Sequence, residues 1–126
     1  NAAQVRPVEE YFEVFLARKL NQSLLPDLRR LSSRFAIVVR DSPEPHWALE
    51  VDQGVLTAIS RNGMPTECQF TVGLPTFLEL VSGRLAPPQA FFRREVEISG
   101  NVELGLRIAA ILAQFFRKYP FVPTAE

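Results

Sequence analysis

At 126 residues the chain is long enough for one domain with a closed core. Its 14 Lys and Arg balance its 14 Asp and Glu, so no global field steers it toward nucleic acid or an anionic membrane, and any membrane affinity has to be local and apolar. A single cysteine, Cys68, excludes an internal disulfide, and the opening NAAQVRPVEE lacks the apolar block and cleavage pattern of a signal peptide, so cytoplasm is the expected compartment.

Pro7 suits the first turn of a helix, and Val8, Tyr11, Phe12, Phe15 and Leu16 follow at the spacing of one amphipathic face. Ser23 and Pro26 interrupt that pattern, after which Leu24, Leu25, Leu28 and Leu31 predict a short second helix. FAIVVRD, from Phe35 to Asp41, reads as a strand and DSPEP as a turn, and HWALEVDQG, VLTAIS and CQFTVG are three further strand-length segments. With Gln53-Gly54 and the Arg61 to Pro65 corner as connections, four strands without an intervening helix predict an antiparallel meander. Leu74-Pro75-Thr76 then opens a helix with Phe77, Leu78, Leu80 and Val81 as its buried stripe and Gly83 as its stop. RLAPPQAFFRR reads as a linking segment, EVEIS as a strand, and Asn101 as the N-cap of a last helix with Glu103 in its first turn.

That last helix is unusually apolar. On a wheel of about 100° per residue, Glu103, Arg107, Ala110, Gln114, Arg117 and Lys118 share one arc. Leu104, Leu106, Ile108, Ala109, Ile111, Leu112, Ala113, Phe115, Phe116 and Tyr119 occupy the rest. A helix covering one face of a sheet needs a narrower stripe, and Arg107 interrupts the run too early for a membrane span. Central burial, an oligomer interface or an apolar ligand remain as explanations.

Catalytic chemistry finds little support. His46, the only histidine, has no cysteine or acid at triad-like or zinc-like spacing and reads as structural. Cys68 reads as a buried apolar residue more than a reactive thiol. Glu10 and Glu13 form the wet side of the first helix, and neither a phosphate-binding glycine loop nor a metal-ligand cluster is present. No catalytic residue, no metal and no enzyme activity are expected.

The run CQFTVGLPTFLELVSGRLAPPQAFFRREVEISGNVELGLRIAAIL resembles the sterol carrier protein type two domain family, in the segments Phe70 to Val72, Phe77 to Gly83, Leu85 to Phe92, Val96 to Asn101 and Val102 to Phe116. The resemblance implies an α+β sandwich: a five-stranded, largely antiparallel sheet covered by helices, with an apolar cavity between the layers that accepts lipids. One domain then spans residues 1–126, with a helical N-terminal segment (1–33), a β-meander (34–73) and a helix-strand-helix unit (74–119). Within the family the Phe-rich start and the ending FFRKYPFVP are similar to bacterial accessory factors of ubiquinone biosynthesis. That similarity implies a non-catalytic protein that binds isoprenoid quinones or prenylated precursors and presents them to the enzymes of that pathway, in its oxygen-independent branch.

The implied cavity candidates are Phe77, Leu80, Phe91, Phe92, Leu104, Ile108, Ile111, Leu112, Phe115 and Phe116. Phe91 and Phe92, if locally extended, point to opposite sides. Tyr11, Phe12, Phe15, Leu16 and Lys19 are candidates for a lid or membrane contact, with Lys19 placed to reach headgroups. The implied partners are a hydrophobic lipid, the membrane surface transiently (peripheral on the inner membrane) and the biosynthetic enzymes, with no cofactor other than bound lipid and no nucleic acid. A general phospholipid, fatty-acid or sterol carrier, a homodimer built on the apolar face, and an accessory domain of a longer enzyme are the alternatives.

Overall fold

The computed structural model describes residues 7–23, 30–40, 47–61 and 63–123. Helix α1 (residues 7–15) starts at Pro7 as an α-helix and widens into a π-helical turn over Tyr11–Phe15, in which the Leu16 amide donates to the Tyr11 carbonyl at 2.8 Å. A 3-10 turn, Ala17–Lys19, ends the segment. The spacing predicts one uninterrupted amphipathic helix, and the π turn is the departure: it fits one more residue into the turn than an α-helix holds. Of the second expected helix, Leu24, Leu25 and Leu28 lie outside the described residues, and Leu31 is buried in coil.

The strands are β1 (Ser33–Val39), β2 (Trp47–Asp52), β3 (Val55–Ser60), β4 (Cys68–Val72) and β5 (Val96–Gly100). They form one sheet in the order β3-β2-β1-β4-β5. The β1-β2, β2-β3 and β4-β5 pairs are antiparallel, and β1-β4 is parallel. The expected four-strand meander is therefore wrong at its last step, because β4 docks on β1 instead of β3.

Two physical facts account for this. Phe35, Ile37 and Val39 make β1 apolar enough to need a neighbour on both edges, whereas most of β3 is only half-buried, as befits an edge. The link between them, residues 61–67, can reach about 23 Å at 3.3 Å per residue, and β4 lies three strand spacings, about 14 Å, from β3. The link has to clear β2 and β1, and the outward residues at that level, Ala48 and Ala36, are small and buried.

The inner face of the sheet carries Phe35, Ile37, Val39, Trp47, Leu49, Val51, Leu56, Phe70, Val72 and Val96, all buried. The outer face carries Arg34, Glu50, Gln69, Thr71 and Glu97. Arg34 Nε lies 2.8 Å from Glu50 Oε2 across β1 and β2. Thr57 is the extra residue where the β2-β3 register shifts, and its hydroxyl donates to Glu50 Oε1 at 2.8 Å.

Helices α2 (Leu74–Val81), α3 (Pro87–Phe92) and α4 (Val102–Lys118) complete the fold. The segment read as a linker thus holds α3, opened by two prolines in its first turn. Gly100 and Asn101 set the launch of α4. Gly100 has φ +82°, and a Cβ there would meet the Glu67 carbonyl oxygen at 2.7 Å, so only glycine fits the corner. Asn101 then caps the helix by accepting the Leu104 amide on Oδ1 at 3.0 Å. One turn further on, Gly105 lets α4 approach β5 so closely that a Cβ would stand 2.5 Å from Ile98 Cγ2.

The buried side of α4 comprises Gly105, Ile108, Ala109, Ala113, Phe115 and Phe116, with Leu104, Ile111 and Leu112 half-buried. Its wet arc is wider than the wheel predicts, since Leu106 is exposed alongside Val102.

Candidate functional site: an apolar cavity beneath the N-terminal strap

Between the inner face of the sheet and the helices lies a cavity with about 80 Å³ of space open to the centre of a water molecule. Its floor is Phe35 and Ile37 of β1, Leu49 and Val51 of β2, Leu56 of β3, Phe70 and Val72 of β4 and Val96 of β5. Its roof is Tyr11 and Leu16 from the α1 segment, Phe77, Leu80 and Val81 of α2, Pro87 of α3, and Ile111, Leu112, Phe115 and Phe116 of α4, with Leu31 beside them.

Of the residues singled out from sequence, Phe77, Leu80, Ile111, Leu112, Phe115 and Phe116 line this space, and Tyr11 and Leu16 cover it. Ile108 is fully buried in the core without reaching the cavity, and Leu104 packs half-buried against the core. Phe91 and Phe92 are a correction. They sit on a helix and not an extended segment, the buried residues of α3 are Pro87 and Ala90, and Phe92 is 79% exposed. The sheet residues of the floor were missed as site residues. Their period-two burial is the signal that could have found them, since every inward residue of a central strand faces the same space.

The strap holding Tyr11 and Leu16 is fastened at both ends. Near its start, Arg61 binds Glu13 Oε2 through Nη1 at 2.6 Å and Glu9 Oε2 through Nη2 at 3.0 Å. The same guanidinium lies 5.6 Å from the centre of the Trp47 ring. At its far end, Lys19 Nζ lies 4.2 Å from the centre of the Tyr119 ring, past the end of α4, and 5.0 Å from Phe15. Lys19 is thus engaged with the Phe15 and Tyr119 rings. Phe12 stacks on Trp47 at 4.8 Å, and Phe15 stacks on Tyr11 at 5.3 Å. The C-terminal segment reaches back as well: Phe121 donates its amide to the Val81 carbonyl at 2.8 Å and packs its ring on Tyr11 and Phe15.

Two buried polar atoms among the described residues have no hydrogen-bond partner, the Tyr11 hydroxyl and Trp47 Nε1. Each such group costs about 1–3 kcal/mol. Burial pushes the Tyr11 phenol far above its usual range, so it stays protonated. Tyr11 belongs to the cavity wall through its ring alone, since that wall presents no polar surface.

Cys68 is buried on β4, and burial together with the neighbouring Glu67 raises its thiol, the opposite of what a nucleophile needs. His46 lies outside the described residues. Among the described residues, no group of His, Cys, Asp and Glu could hold a metal ion, and no helix is long and apolar enough to cross a membrane.

The SCP-2 sterol transfer family matches residues 12–113. Human sterol carrier protein 2 is 26% identical over 102 residues, which is 79% of this chain and 19% of that protein. The chain therefore spans about a fifth of the length of that curated relative. Among solved structures, a crystal structure of sterol carrier protein 2 aligns with TM-score 0.64 at 20% identity, covering 81% of this chain and 90% of that one. A solution structure of palmitated SCP2L2 from Aedes aegypti aligns with TM-score 0.63 at 21% identity, covering 84% and 94%. These two likenesses establish the fold, and the family match runs from the π turn of α1 to the buried side of α4, so the chain belongs to the SCP-2 sterol transfer family.

Proposed function

We propose that this chain is a non-catalytic lipid carrier whose cavity shelters the prenyl tail of an isoprenoid quinone or its prenylated precursor and delivers it to the enzymes of ubiquinone biosynthesis. The observation that carries the reading is the cavity itself, walled by apolar side chains between sheet and helices and covered by a strap. A buried tail gains about 0.8 kcal/mol per methylene relative to water. The competitor in a cell is the bilayer, which is equally apolar, so exchange is close to balanced and reversible, as a carrier requires.

Pockets that hold small ligands typically measure roughly 300–1,000 Å³, well above the about 80 Å³ of the closed form. Loading therefore requires one wall to move, and the strap is the wall outside the sheet ladder; Val8, Tyr11, Phe12 and Leu16 bury it in the core, so it lifts only where a bilayer receives those side chains. Tyr11, Phe12, Phe15 and Leu16 would then turn toward the bilayer as it lifts, with Lys19 released to headgroups. The assignment to quinone lipids, and the similarity to the oxygen-independent factor UbiT, rest on the Phe-rich start and the FFRKYPFVP ending.

Native mass spectrometry with lipid extraction of gently purified protein tests the reading. Co-purified ubiquinone or a prenylated phenol, lost when Leu112 is replaced by Glu in a folded protein, is the expected result. Phospholipid or fatty acid in its place moves the function to general lipid transfer, and a lipid-free dimer overturns the carrier reading.

A further inference from the structure

We propose that the corner at the end of α3, Phe91 to Arg94, docks on an anionic lipid bilayer and sets the roof of the cavity toward it. The inference goes beyond the carrier reading, because it concerns the outer surface and not the contents of the cavity. Phe92 is 79% exposed, the most exposed large hydrophobic side chain among the described residues. Its ring lies 5.8 Å from that of the half-buried Phe91, so the corner presents two rings together, where single exposed apolar residues are the norm. Arg93 and Arg94 follow directly, and both are exposed. Among the described residues neither forms an ion pair.

The backbone holds this corner in place. The Arg93 and Arg94 amides donate to the Gln89 and Phe91 carbonyls, each at 3.0 Å, and the Glu95 amide donates to the Ala90 carbonyl at 2.9 Å. Arg94 closes the turn at φ +63°, a left-handed conformation that glycine adopts more easily, yet the position carries a guanidinium. No acid lies on α3. Of the two that follow it, Glu97 is 3.5 Å from Arg40 on the outer face, and Glu95 leaves two guanidinium groups against one carboxylate. Rings that enter the acyl boundary beside arginines that reach phosphate are the chemistry of an interfacial contact, and an anionic bilayer supplies both partners at one surface. Pro87, one turn before Phe91, lines the cavity, as do the half-buried Ile111 and Leu112 of α4, on which α3 packs. The strap belongs to the same roof, so a bilayer seated on α3 faces the strap as well.

Flotation with vesicles of phosphatidylcholine, with and without phosphatidylserine, tests the assignment. The wild type should bind the anionic vesicles more tightly, and added salt should remove that preference. Phe92→Ser should weaken binding to both kinds of vesicle about tenfold. Arg94→Gly keeps the left-handed turn and removes only the charge. It should weaken binding to the anionic vesicles about fivefold, the effect of one basic residue at such a surface, and leave the neutral ones unchanged. In Phe92→Trp, brominated acyl chains should quench the new indole beyond any change at the buried Trp47. Vesicle binding equal to wild type in folded Phe92→Ser and Arg94→Gly overturns the assignment. Loss of a dimer in Phe92→Ser, with vesicle binding unchanged, makes the corner an interface between copies and overturns it too. A wild type that binds neither vesicle also overturns it, and lipid co-purified with that protein would leave the carrier reading standing.

Discussion

The floor and the strap of the cavity are both aromatic and both buried, yet they are held in place by different forces. The floor is a hydrogen-bonded ladder in which β1 has a partner on each edge and α4 is locked against β5 through Gly100 and Gly105. The strap has one π turn, one 3-10 turn, stacking contacts and a set of half-exposed charges around Arg61 and Lys19. Exposed ion pairs contribute about 0–1 kcal/mol each, whereas a buried strand opens only near the global unfolding free energy. The same cavity therefore has one wall fixed by a strand ladder and another fixed by packing: Val8, Tyr11, Phe12 and Leu16 of the strap are buried, and exposing each to water would cost about 1.5–3 kcal/mol.

The sharpest way to break this contrast is Phe35→Ala, which removes a ring from the floor that packs edge-on against Phe70. It should cost about 3–5 kcal/mol, read as a lower urea midpoint with an unchanged slope, and protection should fall throughout the sheet. Gly100→Ala should cost about 2–3 kcal/mol from a left-handed backbone and a clash with the Glu67 carbonyl, again as a global loss. Arg61→Gln unfastens the strap from Glu9 and Glu13. It should change global stability by about 1 kcal/mol or less, but amides of residues 11–20 should exchange with deuterium distinctly faster while those of β1 and β4 do not. Equal acceleration in both regions would show that strap and floor open as one unit.

The smallest effect separates the outer face from both. Hydrogen bonds from Thr57 and then Arg34 hold the Glu50 carboxyl below its ordinary value of 4.5. A depressed folded value means the contribution is present at neutral pH and is lost as pH falls through that lowered value. Thr57→Val should therefore flatten the acid side of the stability profile slightly and leave lipid binding alone.

Much of this was legible in the residues. The β-branched, strand-length runs FAIVV and CQFTV marked strands and Asn101 marked a helix start, while the breadth of the apolar side of α4 left central burial, an oligomer interface and an apolar ligand open. Pairing was not legible, because a strand carries no local mark of which edge it joins, and a seven-residue link is compatible with a loop or a crossing. Phe91 and Phe92 were misplaced because two prolines read equally well as a linker and as a helix start. Tyr11 was visible as an aromatic tooth, but an unpartnered hydroxyl is a property of its surroundings and has no sequence signature.

The π turn of α1 carries a consequence for how members of this family can diverge. A π turn holds one residue more than the α-helical turn it replaces, so deleting a single residue within Tyr11–Phe15 would let the helix run on regularly and rotate what precedes it by about 100°. Such a deletion would swing the ring of Tyr11 out of the wall while leaving the floor untouched. A change in chain length, with no substitution at any cavity-lining position, would then reshape the roof of the cavity without altering its floor.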